Sequence, residues 1–184
     1  MQWKPPQRLE GEGVVLRPLS DGDVDAYARW FVDDPTLGIS LGLDEDPDAA
    51  AVRDLIQRSG ELELAGEGLT RAIADPATDR LLGALMVHSV AWPHRRCEVG
   101  FAVGPNARGR GVAKAGLGLI INWLFAVLAF ERIEMTTTPD NESAVRLAAR
   151  VGFVREGLLR SRDIERGRRV DIVWFGLLRN DWHP

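Results

Sequence analysis

Apolar residues along the chain follow two patterns, short alternating or β-branched runs and longer stretches with an apolar residue at every third or fourth position. The strand-like runs cover residues 13–19, 69–74, 81–90, 97–103, 132–138, 153–164 and 169–178. The helical spacing covers residues 20–32, 47–60, 111–128 and 141–151. Turn-forming Gly, Pro, Asp and Asn separate the stretches. The pattern predicts a mixed α/β fold, an α+β mixed sheet of about seven strands and four helices.

The length suits one domain, because 184 residues supply a core large enough to fold without disulfides or a structural metal. No internal repeat, low-complexity tract or linker interrupts the pattern. We therefore predict a single domain over residues 1–184.

Charge and cysteine content narrow the class of partner. The net charge of −4 argues against nucleic acid as the main partner and mildly favours a cationic substrate. Cys97 is the single cysteine, which excludes an intrachain disulfide and a cysteine zinc cluster and fits a reducing cytoplasm. The N-terminus lacks a signal-peptide core, and the uncharged run 115–130 is short for a membrane span and contains Asn122. We expect a cytoplasmic protein with no membrane, nucleic-acid or metal partner.

The most informative stretch is the turn from Gly104 to Lys114, between a predicted strand and a predicted helix. Its glycines permit close approach of the backbone, and the first N–H groups of a helix have no intrahelical partner. Together with two flanking arginines, these groups predict a phosphate site. The spacing is not that of a dinucleotide fingerprint, and Arg110-Gly111 stands where a nucleotide P-loop needs Lys and then Ser or Thr.

A second glycine-containing stretch, Gly38-Ile-Ser-Leu-Gly42, matches the G-x-S-x-G elbow of serine hydrolases. That elbow needs a buried strand before it and a helix directly after it. Acidic, proline-containing loops flank this one, so we reject the hydrolase interpretation.

Two further stretches complete a family pattern. Arg108-x-x-Gly111-x-Ala113 resembles the Q/R-x-x-G-x-G/A pyrophosphate loop of the GCN5-related N-acetyltransferases. Asn141-Glu-Ser-Ala, followed by Gly152-Phe, is similar to the N-x-x-A/S…G-F segment of the same family, about 30 residues later. The ends of the chain resemble the RimJ/RimL-like branch, so the likeness spans about residues 8 to 183. The matching stretches near the N-terminus are Val15-Leu-Arg-Pro-Leu19 and Asp33-Asp-Pro35, and the one near the C-terminus runs from Arg162 to Trp182.

The resemblance implies a GNAT-type acyl-CoA N-acyltransferase fold and acetyl-CoA as the acyl donor, with coenzyme A as product. It implies pyrophosphate contacts from the amides of Arg108, Gly109, Arg110, Gly111, Val112 and Ala113. It implies pantetheine contacts from Phe101, Ala102, Val103 and the Asn141 side chain. We expect the Val103 N–H to polarise the thioester carbonyl.

Transfer to an amine also needs a base, because the attacking amine must lose a proton. Alternation along the strand places Glu98 on the same face as Gly100 and Ala102, which leaves room for a ligand beside the carboxylate. A Glu on this strand resembles the base position of several family members. The alternative is that Glu98 faces solvent or pairs with an arginine.

The general acid is harder to assign. Many family members carry a Tyr where this chain has Ala148, and the single tyrosine, Tyr27, lies elsewhere. Ser143 is our candidate proton donor, although it is the second residue after Asn141 and the RimL-type serine would be the third, here Ala144. A thiolate can leave without protonation, so an acid is helpful rather than obligatory.

The predicted function is therefore acetyl-CoA-dependent N-acetylation of a primary amine, either a protein or peptide N-terminus or a small amine such as a polyamine or aminoglycoside. His88, Trp92 and His94 are candidates for lining the acceptor site, with a structural role as the alternative. A non-catalytic acyl-CoA-binding or sensory module on the same fold is the competing class, and a generic nucleotide-binding domain is the third. A homodimer is left open.

Overall fold

The computed structural model describes residues 3–11 and 13–183, which form one mixed sheet covered by helices. Its eight strands in those residues are β1 (Leu9–Gly11), β2 (Val14–Pro18), β3 (Leu69–Ala74), β4 (Leu81–Ala91), β5 (Arg96–Val103), β6 (Arg132–Thr137), β7 (Val154–Glu165) and β8 (Arg168–Leu178). The five α-helices found there are α1 (Val24–Asp33), α2 (Thr36–Ser40), α3 (Ala49–Ala65), α4 (Val112–Ala126) and α5 (Glu142–Val151).

The order of strands in the sheet is β1-β2-β3-β4-β5-β6-β8-β7. Neighbouring strands are antiparallel except β5 and β6, which are parallel and joined through α4. Their pairing is short, running only from Arg96↔Arg132 to Glu98↔Glu134. Beyond Glu98 the two strands diverge, and this divergence creates the opening described below.

Two apolar clusters hold helices to opposite faces of the sheet. The larger packs α4 and α5 against the strands, with Leu117, Ile121 and Phe130 almost completely buried. The smaller packs α1 and α3 against the other face and includes Ala102 of β5. Alternation along β5 explains the division, because Cys97 and Val99 belong to the larger cluster.

The fold class predicted from the sequence is confirmed, but the element count was slightly low. β1 is only three residues long and was not predicted. The segment predicted as loop from residue 36 to 47 contains the short helix α2. α3 continues past Gly60 and ends at Gly66, whose left-handed conformation caps it. Isolated short elements carry little periodic signal, and a helix tolerates one internal glycine at a cost of about 1 kcal/mol.

The uncharged run 115–130 forms most of α4, and most of its residues belong to the larger cluster. Across residues 3–11 and 13–183, no helix has both the length and the hydropathy that a bilayer crossing needs.

Candidate active site

The divergence of β5 from β6 opens a cleft of about 900 Å³. The edge of β5 beyond Glu98 has β4 on one side, where Phe101 pairs with Leu85 and Val103 with Gly83, and the cleft on the other. Backbone groups on the cleft edge are therefore available to an extended ligand, as at any exposed sheet edge. A pantetheine arm with its repeating amides is such a ligand.

The glycine loop forms one end of the cleft. Gly109 and Gly111 adopt left-handed conformations with φ of 73° and 79°, and a Cβ at either would meet nothing within 4 Å. α4 begins at Val112, so its first N–H groups project from this loop. The open cradle and the free amides fit a diphosphate, with Gly109, Gly111, Val112 and Ala113 lining the cleft.

The two loop arginines are placed differently. Arg108 lines the cleft, and its Nη1 lies 2.6 Å from Asp34 Oδ2 while its Nε donates to the Val103 carbonyl at 3.3 Å. Arg110 is exposed to solvent and is not part of the cleft wall. Only the first of the two side chains is therefore positioned beside a ligand in the cleft.

Glu98 lies where the two strands part, and its side chain is only 13% exposed. Thr136 Oγ1 donates a hydrogen bond to Glu98 Oε1 at 2.5 Å, and His88 Nδ1 lies 4.0 Å from Glu98 Oε2. The carboxylate is thus held by β6 on one side and has a histidine of β4 on the other. One oxygen is oriented by Thr136, and the other is left toward the cleft and His88.

Glu98 and the two small residues on its face of β5, Gly100 and Ala102, all line the cleft. A Cβ on Gly100 would lie 3.4 Å from Met86 Cε and 3.8 Å from His88 Nε2. Ala102 is 2% exposed beneath the α1–α3 cluster. The two distances at Gly100 are ordinary van der Waals distances, so Gly100 leaves room between Met86 and His88, and the divergence of the strands adds to the ligand space.

Asn141 caps α5, as its place at the strand-to-helix turn predicted. Its Oδ1 accepts from the Ala144 N–H at 3.2 Å and from the Ser143 hydroxyl at 2.9 Å. Both Asn141 and Ser143 line the cleft. The Asn141 side-chain oxygen is thus engaged, and its amide nitrogen is the group left to meet a ligand.

No tyrosine hydroxyl reaches the cleft from the family position, Ala148, or from the single tyrosine of the chain, Tyr27. Ala148 lies within α5 and is completely buried. Tyr27 is 2% exposed in an aromatic group with Trp30 and Phe31, and burial raises its pKa to about 12. Tyr27 is therefore a core residue.

The cleft is electrostatically divided. The walls contributed by the glycine loop, α4 and α5 are cationic, with Arg108, Lys114, Arg146 and Arg150. β7 contributes two carboxylates to the lining, Asp163 and Glu165. Burial, with the nearby charges of Asp140 and Asp163, raises the pKa of Glu165. The lining thus offers cationic groups to an anionic coenzyme and carboxylates to a cationic amine.

Two site residues, Thr136 and Asp34, were not predicted from the sequence. Both act through contacts with residues distant in the chain, which periodicity does not reveal. The sequence features that mark their positions are the run of threonines, 136–138, at the end of a predicted strand and Asp33-Asp-Pro35 at the end of a predicted helix.

The three candidates for the acceptor site, His88, Trp92 and His94, lie in different parts of the structure. His88 lines the cleft, whereas the Trp92 Nε1 donates to the Gly66 carbonyl and the Trp92 ring packs with Trp3. His94 is exposed in the turn after β4. Of the three candidates, only His88 is therefore placed to meet an acceptor.

Comparisons with known proteins agree with this geometry. Residues 14–154 match the family model described as acetyltransferase (GNAT) domain. A Bacillus licheniformis protein named uncharacterized N-acetyltransferase p20 is 28% identical over 176 residues, 96% of this chain and 98% of that protein. The Escherichia coli [ribosomal protein uS5]-alanine N-acetyltransferase is 26% identical over 125 residues, 67% of this chain and 64% of that protein. The fold matches Mycobacterium smegmatis RimJ in complex with CoA-disulfide, with a TM-score of 0.82 at 23% identity, covering 90% of this chain and 81% of that one.

Proposed function

This chain belongs to the GNAT acetyltransferase family and is an N-acetyltransferase, and we propose that it transfers the acetyl group of acetyl-CoA directly to a primary amine. The observation that carries the proposal is the cleft between the diverging β5 and β6. It runs from a glycine loop suited to a diphosphate to a partly buried carboxylate suited to a base.

The protein groups that would hold the coenzyme lie in chain order along this cleft. The amides from Arg108 to Ala113 would receive the pyrophosphate; Arg108 would add its side chain, and Arg110 only its backbone. The open edge of β5 at Phe101, Ala102 and Val103 would pair with the pantetheine arm, opposite the Asn141 amide. Bound there, the coenzyme supplies an activated acetyl thioester, and the Val103 N–H would polarise its carbonyl oxygen.

Glu98 would act as the general base, through a water molecule. The reference pKa is about 7.7–8.0 for an α-amino group and about 10.4 for a lysine-type amine, so the acceptor arrives protonated at neutral pH. Glu98 would first take one proton from the ammonium group through the water, because only the neutral amine has a lone pair for the attack. As the nitrogen bonds to the acetyl carbon and the carbon–sulfur bond breaks, the nitrogen loses a second proton, which goes to the departing thiolate or to solvent. Thr136 would keep the carboxylate pointed at the cleft, and a water molecule between Glu98 and His88, whose Nδ1 lies 4.0 Å from Glu98 Oε2, would pass the proton on.

Ser143 remains our candidate proton donor to the departing sulfur. Its hydroxyl donates to Asn141 Oδ1, so it must turn from that acceptor to serve the thiolate. A thiol has a reference pKa near 8.5, so the thiolate is a fair leaving group without help.

Direct transfer is favoured over a cysteine acyl-enzyme. Cys97 is completely buried, and burial, followed by the charges of Glu134 and Glu98, raises the pKa of its thiol. A buried thiol of raised pKa is a poor nucleophile. We place the protein in the cytoplasm, where this reduced cysteine and acetyl-CoA coexist.

The acceptor we propose is a peptide or protein N-terminus or a small primary amine. The name of the E. coli relative describes it as an N-acetyltransferase of an alanine of ribosomal protein uS5. The carboxylates of β7 suit an amine of either kind. A homodimer is compatible with either acceptor.

Isothermal titration calorimetry tests the coenzyme assignment. We expect acetyl-CoA to bind at one site per chain with a Kd between about 1 μM and 1 mM. ATP should bind at least about tenfold more weakly, with no gain from magnesium, because the loop lacks a P-loop lysine and hydroxyl. Tighter binding of ATP than of acetyl-CoA would contradict the proposal and favour a nucleotide-binding domain.

A further inference from the structure

The segment from residue 36 to 47, which we call the strap, lines the cleft and is fixed to two different walls. Thr36, Leu37, Ser40, Leu41 and Gly42 of the strap line the cleft. Asp34, just before the strap, pairs with Arg108 of the glycine loop. At the other end Asp46 Oδ1 lies 2.5 Å from Nη2 of Arg166 in the β7–β8 turn.

The carboxylate of Asp34 joins the glycine loop to the start of α2. Its Oδ2 meets Arg108, while its Oδ1 accepts from the Thr36 N–H at 2.9 Å and the Thr36 hydroxyl at 2.6 Å. The Thr36 hydroxyl, followed by Arg108 and the Thr36 N–H, holds the pKa of Asp34 below its usual value against the opposing effect of burial. Asp34 is therefore ionised at neutral pH and binds both partners at once.

Arg108 has donors to spare for a ligand. A guanidinium carries five N–H donors in a fixed fork. One faces Asp34 and one the Val103 carbonyl, and Nη2 makes no hydrogen bond to any residue in the ranges 3–11 and 13–183. Arg108 can keep both protein contacts and still donate to an anion on the glycine loop.

We propose that Asp34 is a positioning residue that, through Arg108, couples occupancy of the glycine loop to the order of the strap. The inference rests on the function proposed above. An anion on the loop immobilises Arg108, and an immobile Arg108 holds Asp34 and the first turn of α2. The coenzyme thereby orders the acceptor side of the cleft before the amine enters, a coupling between two neighbouring sites.

Backbone amides of the strap report this coupling. The N–H groups of Leu41, Gly42 and Leu43 donate to the carbonyls of Leu37, Ile39 and Gly38. These amides exchange with solvent only when α2 opens. We expect saturating coenzyme A to slow their hydrogen–deuterium exchange roughly fivefold, the lower end of usual coupling factors because one ion pair transmits it.

Variants separate the coupling from simple support of the fold. Asp34→Asn should abolish the coenzyme-dependent slowing while coenzyme A still binds by calorimetry. Arg108→Lys should also abolish the slowing, but with weaker coenzyme A binding, because one ammonium cannot serve the loop, Val103 and Asp34 together. Asp46→Asn is the matched control: exchange should be faster throughout, yet coenzyme A should slow it by the same factor.

The outcomes distinguish this inference from the proposed function. A slowing that persists in Asp34→Asn, or faster exchange in the wild type with coenzyme A, would overturn the coupling. Normal binding of coenzyme A to the wild type with unchanged strap exchange would overturn it as well. If coenzyme A gives no binding heat with the wild type, the proposed function itself fails.

Discussion

Replacing Glu98 by Gln is expected to lower kcat for amine acetylation by about 10² to 10⁴, the usual contribution of a positioned general base. Gln has the same shape and can still accept the Thr136 hydrogen bond, so the fold should be unaffected. Its amide cannot take the proton that the amine loses. Thiol release measured between about pH 6 and 9 reports the loss, and full kcat across that range would remove Glu98 as the base.

Glu165→Gln is the matched control for that experiment. Glu165 is a second carboxylate on the cleft wall, contributed by β7. The change removes the same charge without touching the point where β5 and β6 part. We expect kcat to change by less than about threefold, and any weaker binding of the amine by the β7 carboxylates to raise KM instead. Equal losses in the two variants would mean that the cleft needs negative charge for binding rather than a base at Glu98.

Replacing Gly111 by Val is expected to weaken coenzyme A binding at least about tenfold. Gly111 precedes α4 with φ of 79°, a conformation that a β-branched residue adopts only at a cost of about 1–3 kcal/mol. Relaxing that strain would turn the first amides of α4 away from the diphosphate. About 1.4 kcal/mol corresponds to a tenfold change in Kd, which calorimetry resolves.

Gly118→Ala is the control, because it replaces a glycine inside α4, away from the glycine loop. Gly118 lies within α4, and a Cβ there meets nothing within 4 Å. Alanine should leave the coenzyme Kd unchanged and raise the free energy of unfolding by up to about 1 kcal/mol. Wild-type affinity in Gly111→Val would show that the glycine loop does not bind the diphosphate.

Local features of the fold were predictable because local chemistry determines them. The strand from Leu69 to Ala74 has the bounds that its pattern predicted. Gly152 closes α5 in a left-handed conformation, as a glycine after an amphipathic run predicts. Gly111 was equally visible, because a turn into a helix that needs a positive φ favours glycine.

Features that depend on distant contacts could not be predicted. The divergence of β5 from β6 begins at Glu98, and no local pattern marks where a parallel pair separates. The Thr136–Glu98 hydrogen bond and the Asp34–Arg108 ion pair join residues far apart in the chain. The side chains that border the cleft beside Gly100, Met86 and His88, come from β4, and their positions depend on cross-strand register.

Whether acetyl passes directly to a primary amine is best decided by thiol release from acetyl-CoA, measured over a panel of N-terminal peptides and small primary amines. We predict release that depends on one class of amine, with one acetylated amine formed per thiol, as mass spectrometry of the acceptor can count. Coenzyme binding without amine-dependent release across the whole panel would contradict direct transfer to a primary amine.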